Sequence, residues 1–221
     1  MDTLRRLYLT LIVLLLTTAL LSPQIDIAIS REFYRQTGWA ADGGLFFSLM
    51  AKGIPEFIVL IAFIIFIVWL WDVLQHKNKL RISTKTMLLT SGTMFLGPIV
   101  IVNGIFKSFW GRARPESISE FGGSKIFSRA LSFSDQCQWD CSFMSGHAAV
   151  AFWTLSLALL APQRYRPLAI TVSVFFGTLM GIVRIMQGQH FFSDVIFGAA
   201  ITVILILSFY QQLGFSENKK Q

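Results

Sequence analysis

Arg184-Ile185-Met186-Gln187-Gly188-Gln189-His190-Phe191-Phe192-Ser193-Asp194 sets a guanidinium, an imidazole and a carboxylate between two apolar runs, 168–183 and 195–216. Polar groups at membrane depth are costly, so charge held there marks function by default. On a helix, His190 and Asp194 share a face, near enough for the carboxylate to hold the imidazole. Gly188 offers a break between Arg184 and His190. The stretch reads as the reactive centre of a membrane protein.

Outward from it, apolar runs and polar junctions alternate along the whole chain. Of 221 residues, 54% are hydrophobic and 14% charged, which excludes disorder and argues against a soluble domain. Six runs nearly free of charge carry this character: 7–25, 57–71, 87–106, 148–163, 168–183 and 195–216. Each, with its flanks, can cross roughly 30 Å of hydrocarbon as a helix; runs 57–71 and 148–163 are the short ones. The expected fold is all-α, a six-transmembrane-helix bundle forming one domain over residues 1–221, with short interfacial helices in the outer loops. Segment 26–51 suggests such helices, because Ile27, Ile29, Phe33 and Tyr34 and then Leu45, Phe46, Phe47 and Met50 form apolar stripes. Trp69, Trp71 and Trp110 read as interfacial anchors. Gly177 and Gly181 form a small-xxx-small pair suited to close helix contact. The first run reads as a retained helix rather than a signal peptide, since 18–23 lacks a small-x-small cleavage site.

The net charge of +7 reflects topology more than a nucleic-acid partner, and none is expected. Arg5 and Arg6, then His76, Lys77, Lys79, Arg81 and Lys85, then Arg164 and Arg166, then Lys219 and Lys220 all fall on one side of a six-span chain. That side is expected to be cytoplasmic.

Spans alternate in direction, so the end of the third, the start of the fourth, the end of the fifth and the start of the sixth share the opposite face. Lys107 and Arg114, then Ser145, Gly146 and His147, then Arg184, then His190 and Asp194 occupy those four places. Ser145 is placed as a helix N-cap, and the unpaired N–H groups beyond it favour an anion. Several cations, two histidines and one carboxylate ringed by apolar helices suit a doubly charged oxyanion, phosphate above all. Cys137 and Cys141 are either a disulfide or two free thiols, and no further thiolate completes a zinc site.

Lys107-x6-Arg114-Pro115, Ser145-Gly146-His147 and Arg184-x5-His190-x3-Asp194 together resemble the three-part motif of the type-2 phosphatidic acid phosphatases. That superfamily also includes vanadium haloperoxidases and soluble acid phosphatases. The likeness spans residues 107–194 and departs from the pattern at Met144, where the family has proline, and at Val183, where it has serine. It implies that His190 is a nucleophile forming a phosphohistidine, that Asp194 orients it, and that His147 protonates the leaving oxygen and then activates water. It implies too that Lys107, Arg114, Arg184, the Ser145 hydroxyl and the Gly146 amide bind the phosphate, with no metal and no cofactor. Arg112 is either an accessory head-group contact or a solvated loop residue. The expected substrate is a membrane lipid phosphate met in the bilayer, with no obligate protein partner. The expected place is a bacterial inner membrane, with the site on its outer, periplasmic face. Residues 137–152 are similar to bacterial lipid A phosphatases, which sets lipid A phosphate ahead of undecaprenyl diphosphate, phosphatidylglycerol phosphate and phosphatidic acid. An anion or proton-coupled transporter and a head-group phosphotransferase are the competing classes. Charge gathered at helix ends rather than at the midplane of broken helices speaks against the transporter.

Overall fold

Backbone N–H and C=O groups cannot stay unpaired in hydrocarbon, so apolar runs of this length fold as helices. The computed structural model describes residues 2–75 and 82–215, and of the basic side, His76, Lys77, Lys79, Arg81, Lys219 and Lys220 lie outside the described residues. Six principal helices occur among the described residues: α1 (Asp2–Phe33), α2 (Leu45–Leu74), α3 (Thr84–Phe109), α4 (Gly146–Leu160), α5 (Arg166–Met186) and α6 (Phe192–Gln212). Five of them, all but α4, are long and apolar enough to cross a membrane. The chain is an integral membrane protein.

α4 has 15 residues. At 1.5 Å per residue it spans about 22 Å, short of the roughly 30 Å hydrocarbon layer. It tolerates this because protein surrounds it: Ala148, Ala149, Ala151, Trp153 and Ser156 are completely buried, and α5 and α6 pack along it. A Cβ on Gly177 would meet the Phe152 ring at 2.7 Å, and one on Gly181 would meet Val195 at 2.4 Å. The glycine pair of α5 therefore lets α4 and α6 approach, as the sequence suggests.

Two expectations are corrected. Residues 26–33 are no interfacial helix but the continuation of α1. Thr18, Ser22, Asp26 and Ser30 recur every four residues, so they share one helix face, and all are at most 5% exposed. That buried polar stripe keeps the helix going past its apolar part. Residues 45–53 are likewise the outward end of α2, where a π-wound turn, Leu49–Gly53, precedes Pro55, which has no N–H to give. Between the two lies a two-residue antiparallel ladder, Tyr34–Arg35 with Gly38–Trp39, a small exception in a mostly helical chain. The outer segment 116–144 holds only short 3-10 turns, Pro115–Ser117 and Ser119–Phe121. Trp110 lies just past the outer end of α3, where its indole donates to the Ala130 carbonyl at 2.7 Å and packs against Phe106, Phe133 and Phe143.

Backbone bonds tie the helix ends of one face together. Ala41 N–H donates to Met186 O, Glu116 N–H to Gly188 O, Ser145 N–H to Asp194 O and Cys141 N–H to Lys107 O. The convergence expected from alternating spans is therefore built by direct contact.

Candidate active site

Gly188 ends α5 with φ +67°, a left-handed turn that glycine adopts without penalty. A Cβ there would also strike the Trp39 indole at 2.2 Å. The turn carries His190 into the protein, fully buried, just ahead of α6.

His190 is thus not on the same helix as Asp194, and the direct pairing expected from their spacing does not form. Its Nδ1 lies 3.9 Å from Asp194 Oδ2, too long for a hydrogen bond, but 2.8 Å from the Ser142 carbonyl. A carbonyl only accepts, so Nδ1 carries the proton and the lone pair is left on Nε2. That Nε2 is buried and has no hydrogen-bond partner. A buried nitrogen with a free lone pair is costly to hold, and a nucleophile needs one.

Asp194 acts one step back. Its Oδ2 accepts from Ser142 Oγ at 2.6 Å and from Phe191 N–H at 2.8 Å, capping α6 and fixing the residue whose carbonyl holds His190. Its Oδ1 pairs with Arg112 at 2.5 Å. Arg112 also reaches Asp26 Oδ2 at 2.8 Å, Ser193 Oγ at 2.9 Å and the Ser128 carbonyl at 2.9 Å, and its guanidinium stacks 4.3 Å from the Phe191 ring centre. Both earlier readings of Arg112, head-group contact and solvated loop, give way to a buried strut between two carboxylates. Asp26 also accepts from Ser193 N–H and Oγ, so α1 is bonded to the start of α6.

On the other side of the site, His147 donates from Nε2 to the Ala51 carbonyl at 2.8 Å, which leaves its Nδ1 free. The two imidazole centres are 6.3 Å apart. Rings this close can both reach one phosphate placed between them. Lys107, Gly146 and His147 line a common cavity of about 340 Å³. Ser145 caps α4, its Oγ accepting from Ala148 N–H at 3.3 Å. Arg184 donates to Gln187 at 2.6 Å, and it converges with Arg114 on the Gln189 side-chain oxygen. The Nε of Arg184 is buried without a partner among the described residues. Lys107, Arg114, Ser145, Gly146, His147, Arg184, His190 and Asp194 are therefore brought to one site.

A carboxylate that the sequence reading did not single out already occupies the cations. Asp140 takes Lys107 at 2.5 Å and also pairs with Arg114, while its own carbonyl accepts from Arg114 at 2.9 Å. It sits beside the disulfide that joins Cys137 to Cys141. Burial pushes the Asp140 carboxyl up, but the hydrogen bonds and charges of Lys107 and Arg114 outweigh this and hold it below the usual carboxylate value. For His190, burial and then the charges of Lys107, Arg184 and Arg114 push the imidazole well below the usual histidine value, which keeps it neutral.

Asp26, Asp140, Ser142 and Gln189 are thus additions to the site read from sequence. Asp26 had a signal, the four-residue polar stripe of α1. Ser142 and Asp140 work through backbone carbonyls and a loop bond, for which no spacing rule exists.

The sequence model of the PAP2 superfamily matches residues 86–217. A lipid A 4'-phosphatase of Francisella tularensis subsp. novicida is 34% identical over 184 residues, covering 80% of this chain and 81% of that protein. A lipid A 4'-phosphatase of Rhizobium leguminosarum is 30% identical over 190 residues, covering 80% and 82%. The crystal structure of a transmembrane PAP2 type phosphatidylglycerolphosphate phosphatase from Bacillus subtilis superposes with a TM-score of 0.54 at 21% identity, covering 97% of this chain and 98% of that one, a likeness of fold.

Proposed function

The chain belongs to the PAP2 superfamily and is a membrane lipid phosphatase, a phosphoric-ester hydrolase, and on that footing we propose that it removes the 4' phosphate of lipid A through a phosphohistidine on His190. The observation that carries the mechanism is the bare, buried Nε2 of His190, with Nδ1 committed to the Ser142 carbonyl. The substrate position is supported by two lipid A 4'-phosphatases at 30% identity or more over most of both chains.

In the first step Nε2 attacks phosphorus and the bond to the lipid oxygen breaks. His147 gives that oxygen a proton from Nδ1, its Nε2–H staying on Ala51. The arriving dianion favours the imidazolium that this requires. Lys107, Arg114, Arg184, the Ser145 hydroxyl and the Gly146 amide hold the equatorial oxygens, and phosphoryl transfer is largely such positioning and charge stabilisation. Asp194 serves through Ser142 rather than by touching the imidazole. In the second step water, losing its proton to His147, attacks phosphorus, and the N–P bond breaks to return neutral His190 and release phosphate. Among the described residues no group of three His, Cys, Asp or Glu is placed to hold a metal ion, and the cations take the charge.

We place the active face at the outer surface of a bacterial inner membrane, with α4 as the sixth crossing and residues 1–221 acting as one domain. Purified protein in detergent micelles, offered lipid A, phosphatidic acid and an undecaprenyl diphosphate, should release phosphate fastest from lipid A, from the 4' position. EDTA should leave the rate intact. His190→Ala should abolish both turnover and acid-labile phosphate on the protein; turnover retained in that variant ends the mechanism.

A further inference from the structure

Beyond the phosphate cage the outer loops line a second, open cavity of about 630 Å³, bounded by residues 113, 114, 116 and 117, Lys125 and 135–140. Its volume falls in the range of about 300–1,000 Å³ typical of small-molecule sites. Arg114 and Asp140 line it and also form the cage, so the cavity is the cage's immediate neighbour. We propose that this cavity is the subsite for the carbohydrate head group of the substrate, next to the phosphate being removed. The proposal rests on lipid A as the substrate.

The lining decides what kind of group fits. Its charges are Arg114 and Lys125 against Glu116, Asp135 and Asp140, so the cavity is not built to trap a further anion. An acyl chain is excluded as firmly, because carboxylates and two glutamines would be stripped of water against hydrocarbon. A neutral, polar sugar ring suits both facts: its ring, ester and amide oxygens accept, any free hydroxyl also donates, and the walls supply acceptors, donors and groups that do both. Trp139 adds an aromatic face, 79% exposed, on which the apolar face of a sugar ring can lie. Glu116 is itself held in place, accepting from the Gln189 side chain at 2.6 Å next to His190, so the sugar wall and the nucleophile's turn are one construction. Lys125 has no ion pair among the described residues and is free to reach a ring hydroxyl or ring oxygen.

The test compares initial rates of the full chain in micelles on lipid A and on phosphatidic acid, a lipid phosphate without sugar, together with the inhibition constant of vanadate. Trp139→Ala should raise KM for lipid A about fivefold. Its kcat, the KM for phosphatidic acid and the vanadate constant should not move, and Lys125→Ala should act in the same direction. An unchanged KM for lipid A in both variants overturns the proposal. So does a rise shared by phosphatidic acid, which would make Trp139 a membrane-surface anchor, or a parallel loss of vanadate affinity, which would trace the effect to the cage. If the wild type releases no phosphate from lipid A, the substrate reading falls and this subsite falls with it; the other refutations leave the substrate reading standing.

Discussion

Arg112→Met should cost stability and turnover together, for a reason visible in its partners. The guanidinium is 1% exposed and lies between Asp26 and Asp194, both completely buried. Removing one partner of a buried ion pair typically costs about 3–5 kcal/mol, because the remaining charge is stranded out of water. Here two carboxylates are stranded. Each keeps other donors, Ser193 for Asp26 and Ser142 with Phe191 for Asp194, so the upper end of that range is a ceiling and not a floor. For a chain of this size 1 kcal/mol corresponds to about 2–4 °C, so unfolding in detergent, followed by tryptophan fluorescence, should move down by roughly 6–20 °C. Adding Asp26→Asn to Arg112→Met should recover part of the loss, since one uncompensated charge is gone, with a coupling of about 0.5–3 kcal/mol. Activity should fall as well, because Asp194 loses the strut that aims it at Ser142. An Arg112→Met protein that melts with the wild type, or no lower than Arg114→Met in the half-open cage, would falsify the buried-strut account.

Other outcomes follow from the same contacts. Asp140→Asn removes a carboxylate that competes with phosphate for Lys107 and Arg114; the group is 54% exposed, so the gain in vanadate affinity should stay within about fivefold, the equivalent of roughly 1 kcal/mol. Loss of affinity in that variant would mean Asp140 helps to build the cage. Ser142→Ala keeps the carbonyl that holds His190 but removes the hydroxyl that ties it to Asp194, and kcat should drop about tenfold with little change in KM, the scale of one hydrogen bond to a charged group. For pH, the proposed mechanism needs His190 unprotonated and its folded pKa is depressed, so the acid limb of kcat/KM should lie below the ordinary histidine value of about 6.5. Lys107 is one of the cations that depress it, so Lys107→Met should move that limb to higher pH; a shift to lower pH contradicts the electrostatic assignment.

Much of this was legible along the chain. Apolar runs identified the helices, and alternation of direction alone put Lys107, Arg114, Ser145, His147, Arg184 and His190 at one face, because a membrane leaves a helix little choice of where to begin and end. Ser145 announced its cap and Gly188 its turn for equally local reasons. The spacing of His190 and Asp194 is no guide, because the helix starts only at Phe192 and helical periodicity does not extend back to His190. The length of α1 is not legible from hydropathy, because its outward end carries the four-residue polar stripe Thr18, Ser22, Asp26 and Ser30, whose spacing marks a helix face but not what covers it.

What the amino-acid order determined by itself is the set of properties each segment carries alone: hydrophobic length, capping, direction of crossing, and the chemistry assembled at one surface. Only the tertiary structure decided which nitrogen of His190 is free, that Asp194 reaches it through Ser142, that Arg112 joins α1 to α6, and that Asp140 stands in the cage. Those are hydrogen bonds and ion pairs between residues as far apart as Asp26 and Ser193, and their partners are selected by packing in three dimensions, where a few tenths of an ångström separate a bond from a near miss.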